Sequence, residues 1–298
     1  MLKNSLFFSN PARLSTKDRQ LVIKNEDGEL IATRPVEDLG FVVLENPQIS
    51  ITQRLLHRLA ENNVAVVICD EKFLPSSLLL HLNNNYIQSE RYAHQIKASE
   101  PLRKNLWQQT VKCKINNQAE VLKKLDKNPG MLPSMARRVQ SGDAGHLEGL
   151  AARQYWQELF GPEFNRERYG DKPNHALNYG YAIIRAAVAR ALTGSGLLPT
   201  IGIQHHNKYN AFCLADDIME PYRPFVDLLV YKLYQQLGED LELTTDTKTK
   251  MVQLLGTNTI INQNTSPMMI AMTTTTASLV KCFEGSSRKL QYPRLPQT

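Results

Sequence analysis

Hydrophobic and polar positions change their period near residue 100. Before it, short β-prone runs at 6–9, 20–24, 29–33, 41–44 and 64–69 are separated by turn residues, and Asp27-Gly28 is a hairpin signal. One helix interrupts this region: Ser50-Ile51-Thr52-Gln53 fits a capping box, Leu55, Leu56 and Leu59 form an apolar face, and Asn62-Asn63 ends it. Residues 83–100 are polar and read as a connector. From Pro101 the period is helical, with Leu102, Leu106, Val111, Ile115, Val121, Leu122 and Leu125 facing a core and the lysines outside. Asn128-Pro129-Gly130 is a loop; Asp143 can cap a helix from 144 that Gly161-Pro162 ends. An Ala-rich helix over 176–192 is expected at the centre of a bundle, with further helices at 231–237, 251–255 and 267–283. The expectation is an α+β fold: a small β-rich N-terminal domain (1–84), a linker (85–100), a larger all-α C-terminal domain (101–284) and a mobile tail (285–298).

The 298 residues are 42% hydrophobic, enough for a real core. The longest apolar run, 64–69, is far short of a membrane span, and the N-terminal residues lack a signal peptide's long apolar region, so a cytoplasmic protein is expected. Cys69, Cys113, Cys213 and Cys282 are scattered singly, without zinc-ligand or disulfide-framework spacing. The net charge of +6 is unevenly spread: residues 91–140 hold eleven Lys or Arg against three acids. Such clustering, with Lys123, Lys124, Arg137 and Arg138 as its adjacent pairs, suits a nucleic-acid partner.

Candidate chemistry concentrates in 202–227, GIQHHNKYNAFCLADDIMEPYRPFVD. Asp217 and Glu220 lie three apart, which on a helix puts both on one face, and two close carboxylates need a cation or a shared proton. Pro221 should break the helix beside them. Acids in a first helical turn also complement the helix dipole, and Arg223 with Asp227 makes an i,i+4 pair, so a structural role stays open. Asp216 is a rival for Asp217, or a solvated neighbour. Upstream, Glu148 sits among Ala144, Ala151, Ala152 and Tyr155; the small alanines suggest a carboxylate facing inward and needing a cation, a donor or a raised pKa, the alternative being a surface glutamate among alanines. With His205, these acids could converge on one divalent cation.

RVQSGDAGHLEGLAARQYWQELFG, NHALNYGYA, LLPTIGIQHHNKYNAFCLADDIMEPYRPFVD and SLVKCFEGSSRKLQYP together resemble the CRISPR-associated spacer-acquisition integrase family, in the form that accompanies type II systems. The resemblance spans most of the chain. It implies a homodimeric, metal-dependent DNA endonuclease and integrase with an N-terminal β domain for dimerisation and a helical catalytic domain. Its metal ligands would fall on Glu148, His205 and Glu220, with Asp217 a further family acid; of the tandem His205-His206, His205 lies at the family's distance from the glycine. Tyr179 in LNYGY resembles a tyrosine near the reacting phosphate. The implied partners are double-stranded DNA and a small ferredoxin-like CRISPR protein that bridges two dimers.

The chemistry is consistent with the residues themselves. When a DNA 3′-OH is the nucleophile, no Ser, Cys or Tyr of the protein need form a covalent intermediate, and carboxylate plus imidazole ligands suit Mg²⁺ or Mn²⁺. Two alternatives use the same residues: a metal-dependent hydrolase of small phosphoesters, which would not need the basic segment, and a non-catalytic DNA-binding scaffold whose acids are structural.

Overall fold

The computed structural model describes residues 3–81, 85–167, 170 and 172–296. The N-terminal part contains β1 (Asn4–Phe8), β2 (Arg13–Lys17), β3 (Gln20–Lys24), β4 (Leu30–Pro35), β5 (Leu39–Leu44), β6 (Ser50–Ile51), helix α1 (Gln53–Glu61), β7 (Ala65–Cys69) and β8 (Pro75–Leu79). They form two four-stranded sheets, ordered β1-β5-β7-β8 and β4-β3-β2-β6. β1, β5 and β7 are parallel and β8 is antiparallel. The β3–β4 hairpin forms where Asp27-Gly28 placed it, but through a longer loop in which the Asn25 N–H donates to the Glu29 carbonyl and Gly28 takes φ 85°. The cap of α1 is Thr52, not Ser50: its hydroxyl accepts the Leu55 N–H.

The first sheet serves two cores because successive strand residues point to opposite faces. Leu6, Val42, Val66 and Leu79 stand in one row across β1, β5, β7 and β8. They pack toward Leu14, Leu21, Leu55 and Leu59 of the second sheet and α1. The next row, Phe7, Val43, Val67 and Leu78, packs on the helical core instead. That makes β5 buried on both faces. A buried ion pair, Lys248 to Glu45 at 2.6 Å, joins the end of β5 to the helical part.

The helices are α2 (Gln88–Ile96), α3 (Glu100–Lys124), α4 (Leu132–Arg138), α5 (Leu147–Phe160), α6 (Asn174–Gly194), α7 (Cys213–Met219), α8 (Arg223–Leu237), α9 (Thr245–Gln253) and, after a hairpin of β9 (Asn258–Ile261) and β10 (Asn264–Pro267), α10 (Met268–Phe283). α6 is central, buried along most of its length and in contact with α7, α8, α9, α10, β7 and β8. Gly180 permits its approach to α8, since a Cβ there would lie 2.4 Å from Val226 Cγ1.

Two expectations are corrected. The polar connector contains α2, whose Gln95 is buried and donates its amide to the carbonyls of Leu198 and Ile201, so its polarity serves a packed contact. The boundary at residue 84 lies outside the described residues. The tail is not loose: Leu290 and Leu295 are buried, the Leu290 N–H donates to Gln109, Tyr292 shares a hydroxyl hydrogen bond with Thr110 of α3, and Arg294 pairs its backbone with Ile260 of β9. Its prolines and basic residues hid a short apolar series; its last two residues, 297 and 298, are outside the described set. Among the described residues no helix is long and apolar enough to cross a membrane.

Candidate active site

The GIQH loop is wrapped around Asp217. This carboxylate is fully buried; Oδ2 accepts the N–H groups of Ile203 at 2.7 Å and Gln204 at 2.9 Å, and Oδ1 accepts that of His205 at 3.2 Å. Oδ1 also lies 2.5 Å from Nδ1 of His205. Gly202 is needed for this closeness, because a Cβ would stand 2.4 Å from the His205 carbonyl and 2.7 Å from Asp217 Oδ2. With Nδ1–H donated to Asp217, the neutral imidazole keeps its other nitrogen, Nε2, as the free lone pair. The Asp217 hydrogen bond, against the opposing pull of burial, raises the His205 pKa above its ordinary value. The edge of the His205 ring meets Trp107 of α3 at 5.8 Å. Asp216 is not a solvated neighbour: it is buried, held by Arg185 Nε at 2.6 Å and by the Asn210 amide at 2.7 Å.

Glu148 and Glu220 meet at one cation. Lys114 of α3 places Nζ 2.6 Å from Oε1 of Glu148 and 2.6 Å from Oε2 of Glu220. Arg223 holds Glu220 Oε1 at 2.9 Å. Glu148 is fixed from below by Asp143, whose two oxygens accept the N–H groups of Leu147 and Glu148 at 3.0 Å, so the cap works three residues later than its position suggested and the helix opens at Leu147. Glu220 stands at the break made by Pro221: α7 stops at Met219, one 3-10 turn follows, and α8 restarts at Arg223. Burial disfavours the Glu220 carboxylate, but Arg223 and Lys114 outweigh it and hold the pKa below the ordinary range. For Lys114 burial is likewise outweighed, by Glu220 and Glu148, and its pKa is raised. The Lys114 ammonium is therefore the cation facing Glu220 Oε2, as Arg223 is for Oε1. Among the described residues no three His, Cys, Asp or Glu side chains meet closely enough to hold a metal ion.

Tyr179 does not belong to this site. It is buried on the sheet side of α6, its ring 5.6 Å from the Lys248 ammonium. Tyr181, two positions on and therefore about 200° around the helix, faces the acids instead. Arg223 and Arg166 lie 4.8 Å and 5.2 Å from its ring, and its hydroxyl donates to Asp227 at 2.5 Å. Asp227 takes a second hydroxyl from Tyr155 at 3.0 Å rather than pairing with Arg223. Burial pushes its pKa up to about 7. A cavity of about 680 Å³ opens here, lined by Lys114, Arg153, Trp156, Arg166, Tyr181 and Arg223 among others. Of the basic pairs, Arg137 and Arg138 are exposed in the last turn of α4, while Lys123 is exposed but paired with Glu120 at 2.7 Å, and Lys124 is half-buried.

Sequence reasoning missed Lys114, counting it among outward lysines. Its signal was positional: Trp107, Val111, Lys114 and Gln118 follow helical spacing, and the other three are buried. A lysine interrupting a buried stripe requires an anion.

The family model described as CRISPR associated protein Cas1 matches residues 6–254. The chain belongs to the Cas1 family. It is 42% identical over 257 residues to the CRISPR-associated endonuclease Cas1 of Neisseria meningitidis serogroup C (strain 8013), covering 86% of this chain and 84% of that protein. Its fold is similar to that of a casposase bound to integration product, with TM-score 0.77, 18% identity and coverage of 97% of this chain and 92% of that one. A Cas1 protein from Thermotoga maritima aligns with TM-score 0.73 and 19% identity over 99% of this chain and all of that one, 100%. A chain of a Cas6-RT-Cas1–Cas2 complex matches with TM-score 0.73 at 21% identity, over 96% of this chain and 35% of that longer one.

Proposed function

We propose that this Cas1-family chain is a metal-dependent DNA endonuclease and integrase that inserts short double-stranded fragments into a CRISPR repeat array. The observation that carries the site is the meeting of Glu148 and Glu220, from α5 and the α7–α8 break, on a single buried cation position. Two carboxylates that already share one cation position and an imidazole with Nδ1 fixed fit a hard divalent ion. Glu148, Glu220 and His205 would hold it, and Mg²⁺ or Mn²⁺ suits that set. When bound, such an ion supplies Lewis-acid stabilisation of charge on a reacting phosphate and a lower pKa for an oxygen nucleophile.

The chain's own residues supply the rest. In strand transfer the fragment's 3′-hydroxyl gives up its proton as its oxygen bonds to phosphorus of the repeat, the phosphodiester P–O3′ bond there breaks, and the released 3′-oxygen takes up a proton. Arg223 and Arg166, beside Tyr181, place positive charge where phosphate oxygens gain negative charge. Asp217 acts as a positioning residue: it fixes the GIQH backbone and the His205 ring together. Tyr181 positions Arg223 and Arg166, and Tyr179, buried on the sheet side of α6, is left out of the DNA contacts.

The working assembly we infer is a cytoplasmic homodimer joined through the N-terminal β part and acting on double-stranded DNA with a small ferredoxin-like CRISPR partner that bridges two dimers. The edge strand β4 supports a dimer face by exposing Leu30 and Ile31, each 61% accessible. The Cas6-RT-Cas1–Cas2 complex, a chain of which shares this fold over part of its length, supports the partner.

The test is transfer of a short duplex into a plasmid carrying a repeat, with Mn²⁺ or EDTA and with or without the partner protein. Glu220→Ala is expected to lose joining by at least about 100-fold while still binding DNA. Unchanged joining would leave a DNA-binding scaffold as the better reading.

A further inference from the structure

We infer that Lys114 is a built-in competitor for the metal, an ammonium that occupies the cation position between Glu148 and Glu220 and must leave when a divalent ion bridges them. This rests on the metal reading above and concerns a residue with no part in that ligand set. Three observations carry it. Nζ lies 2.6 Å from an oxygen of each glutamate, and these are two of the side chains that would hold the ion. An ammonium and a divalent ion held by the same carboxylates would compete for one place.

The second observation is the depth of Glu220. Its side chain is 4% exposed, and the cations against it are Lys114 at Oε2 and Arg223 at Oε1, so its charge depends on the position that Lys114 fills. The third is an exit. Lys114 also lines the cavity of about 680 Å³, which gives its side chain room to move off the carboxylates without unpacking α3. The consequence is a site that is electrostatically complete before metal arrives. The buried Glu220 and the half-buried Glu148 would repel, with Arg223 paired to Glu220, and the lysine holds them together until the ion replaces it.

The test is Mn²⁺ titration of the full chain, followed by loss of the electron paramagnetic resonance signal of free Mn²⁺, for wild type, Lys114→Met, Lys114→Arg and Glu220→Gln. Lys114→Met is expected to bind Mn²⁺ roughly ten- to a hundredfold more tightly than wild type. Lys114→Arg, which keeps the charge, should stay near wild type, and Glu220→Gln should bind far more weakly. Thermal unfolding in EDTA should show Lys114→Met less stable than wild type, with Mn²⁺ closing the gap. A folded Lys114→Met that binds Mn²⁺ no more tightly overturns the lysine's role. If Glu220→Gln binds as wild type does, the metal reading itself fails. Should Lys114→Met not fold, wild type labelled with ¹⁵N-lysine decides: a protected ammonium signal, absent from Lys114→Arg, should disappear at saturating Mg²⁺, and its persistence refutes the displacement.

Discussion

A methyl group at position 202 would sit 2.4 Å from the His205 carbonyl, so the smallest side chain change in the chain is enough to disturb the site. Gly202→Ala is expected to cost about 1–3 kcal/mol and to lower strand transfer more than DNA binding; denaturant melts and the plasmid assay check both. Asp227 gives the clearest pH signature. Its pKa is about 7 in the folded chain against an ordinary 3.8, so the folded state binds more protons and this residue's contribution to stability falls as pH rises between those values. Asp227→Asn removes that dependence; its amide oxygen still accepts one of the two tyrosine hydroxyls, and its NH₂ can donate to the other hydroxyl oxygen. Relative to wild type, the variant is expected to gain about 2–3 kcal/mol between pH 5 and pH 8, measured by urea unfolding at the two pH values. A constant difference would mean that Asp227 is ionised throughout.

At the scale of elements, α6 separates two tyrosines that the sequence offers side by side. The Tyr179 hydroxyl is buried without a hydrogen-bond partner, so Tyr179→Phe is expected to be neutral or slightly stabilising and to leave strand transfer intact. Tyr181→Phe removes the hydrogen bond to Asp227 and is expected to cost about 1–2 kcal/mol and to reduce activity. Equal effects from the two would contradict their placement on opposite faces. In α3 the same periodicity that buries Trp107 and Val111 carries Lys114 inward. Element boundaries matter for the acids too: the α7–α8 break lets Glu220 leave the direction of Asp217, and each carboxylate takes a different partner.

For the whole molecule, charge decides the approach of DNA, and the exposed Arg137 and Arg138 offer more free positive charge than Lys123, which is paired with Glu120. Replacing both arginines with alanine is expected to weaken duplex binding and flatten the slope of log affinity against log salt by about 0.9 for each phosphate no longer neutralised. Fluorescence anisotropy over a salt series measures it; an unaltered slope removes α4 from the footprint. The two sheets and the bundle are not independent bodies in packing, since β5 contributes Val43 to the helical core and Val42 to the other.

The sequence by itself determined the α+β order of elements, the strand at 20–24, the helical course from 101, the break at Pro221 and the identity of Glu148, Asp217 and Glu220 as carboxylates needing partners, whereas His205 was singled out through the family resemblance. Those are local matters: periodicity, capping and the cost of an unpaired charge act over a few neighbouring residues. Only the tertiary structure decided the partners. Asp217 faces three backbone N–H groups and an imidazole twelve or more residues away, Lys114 reaches acids 34 and 106 positions later, and the tail closes on α3 across about 180. Such contacts depend on how helices stack, and neither composition nor period carries that distance.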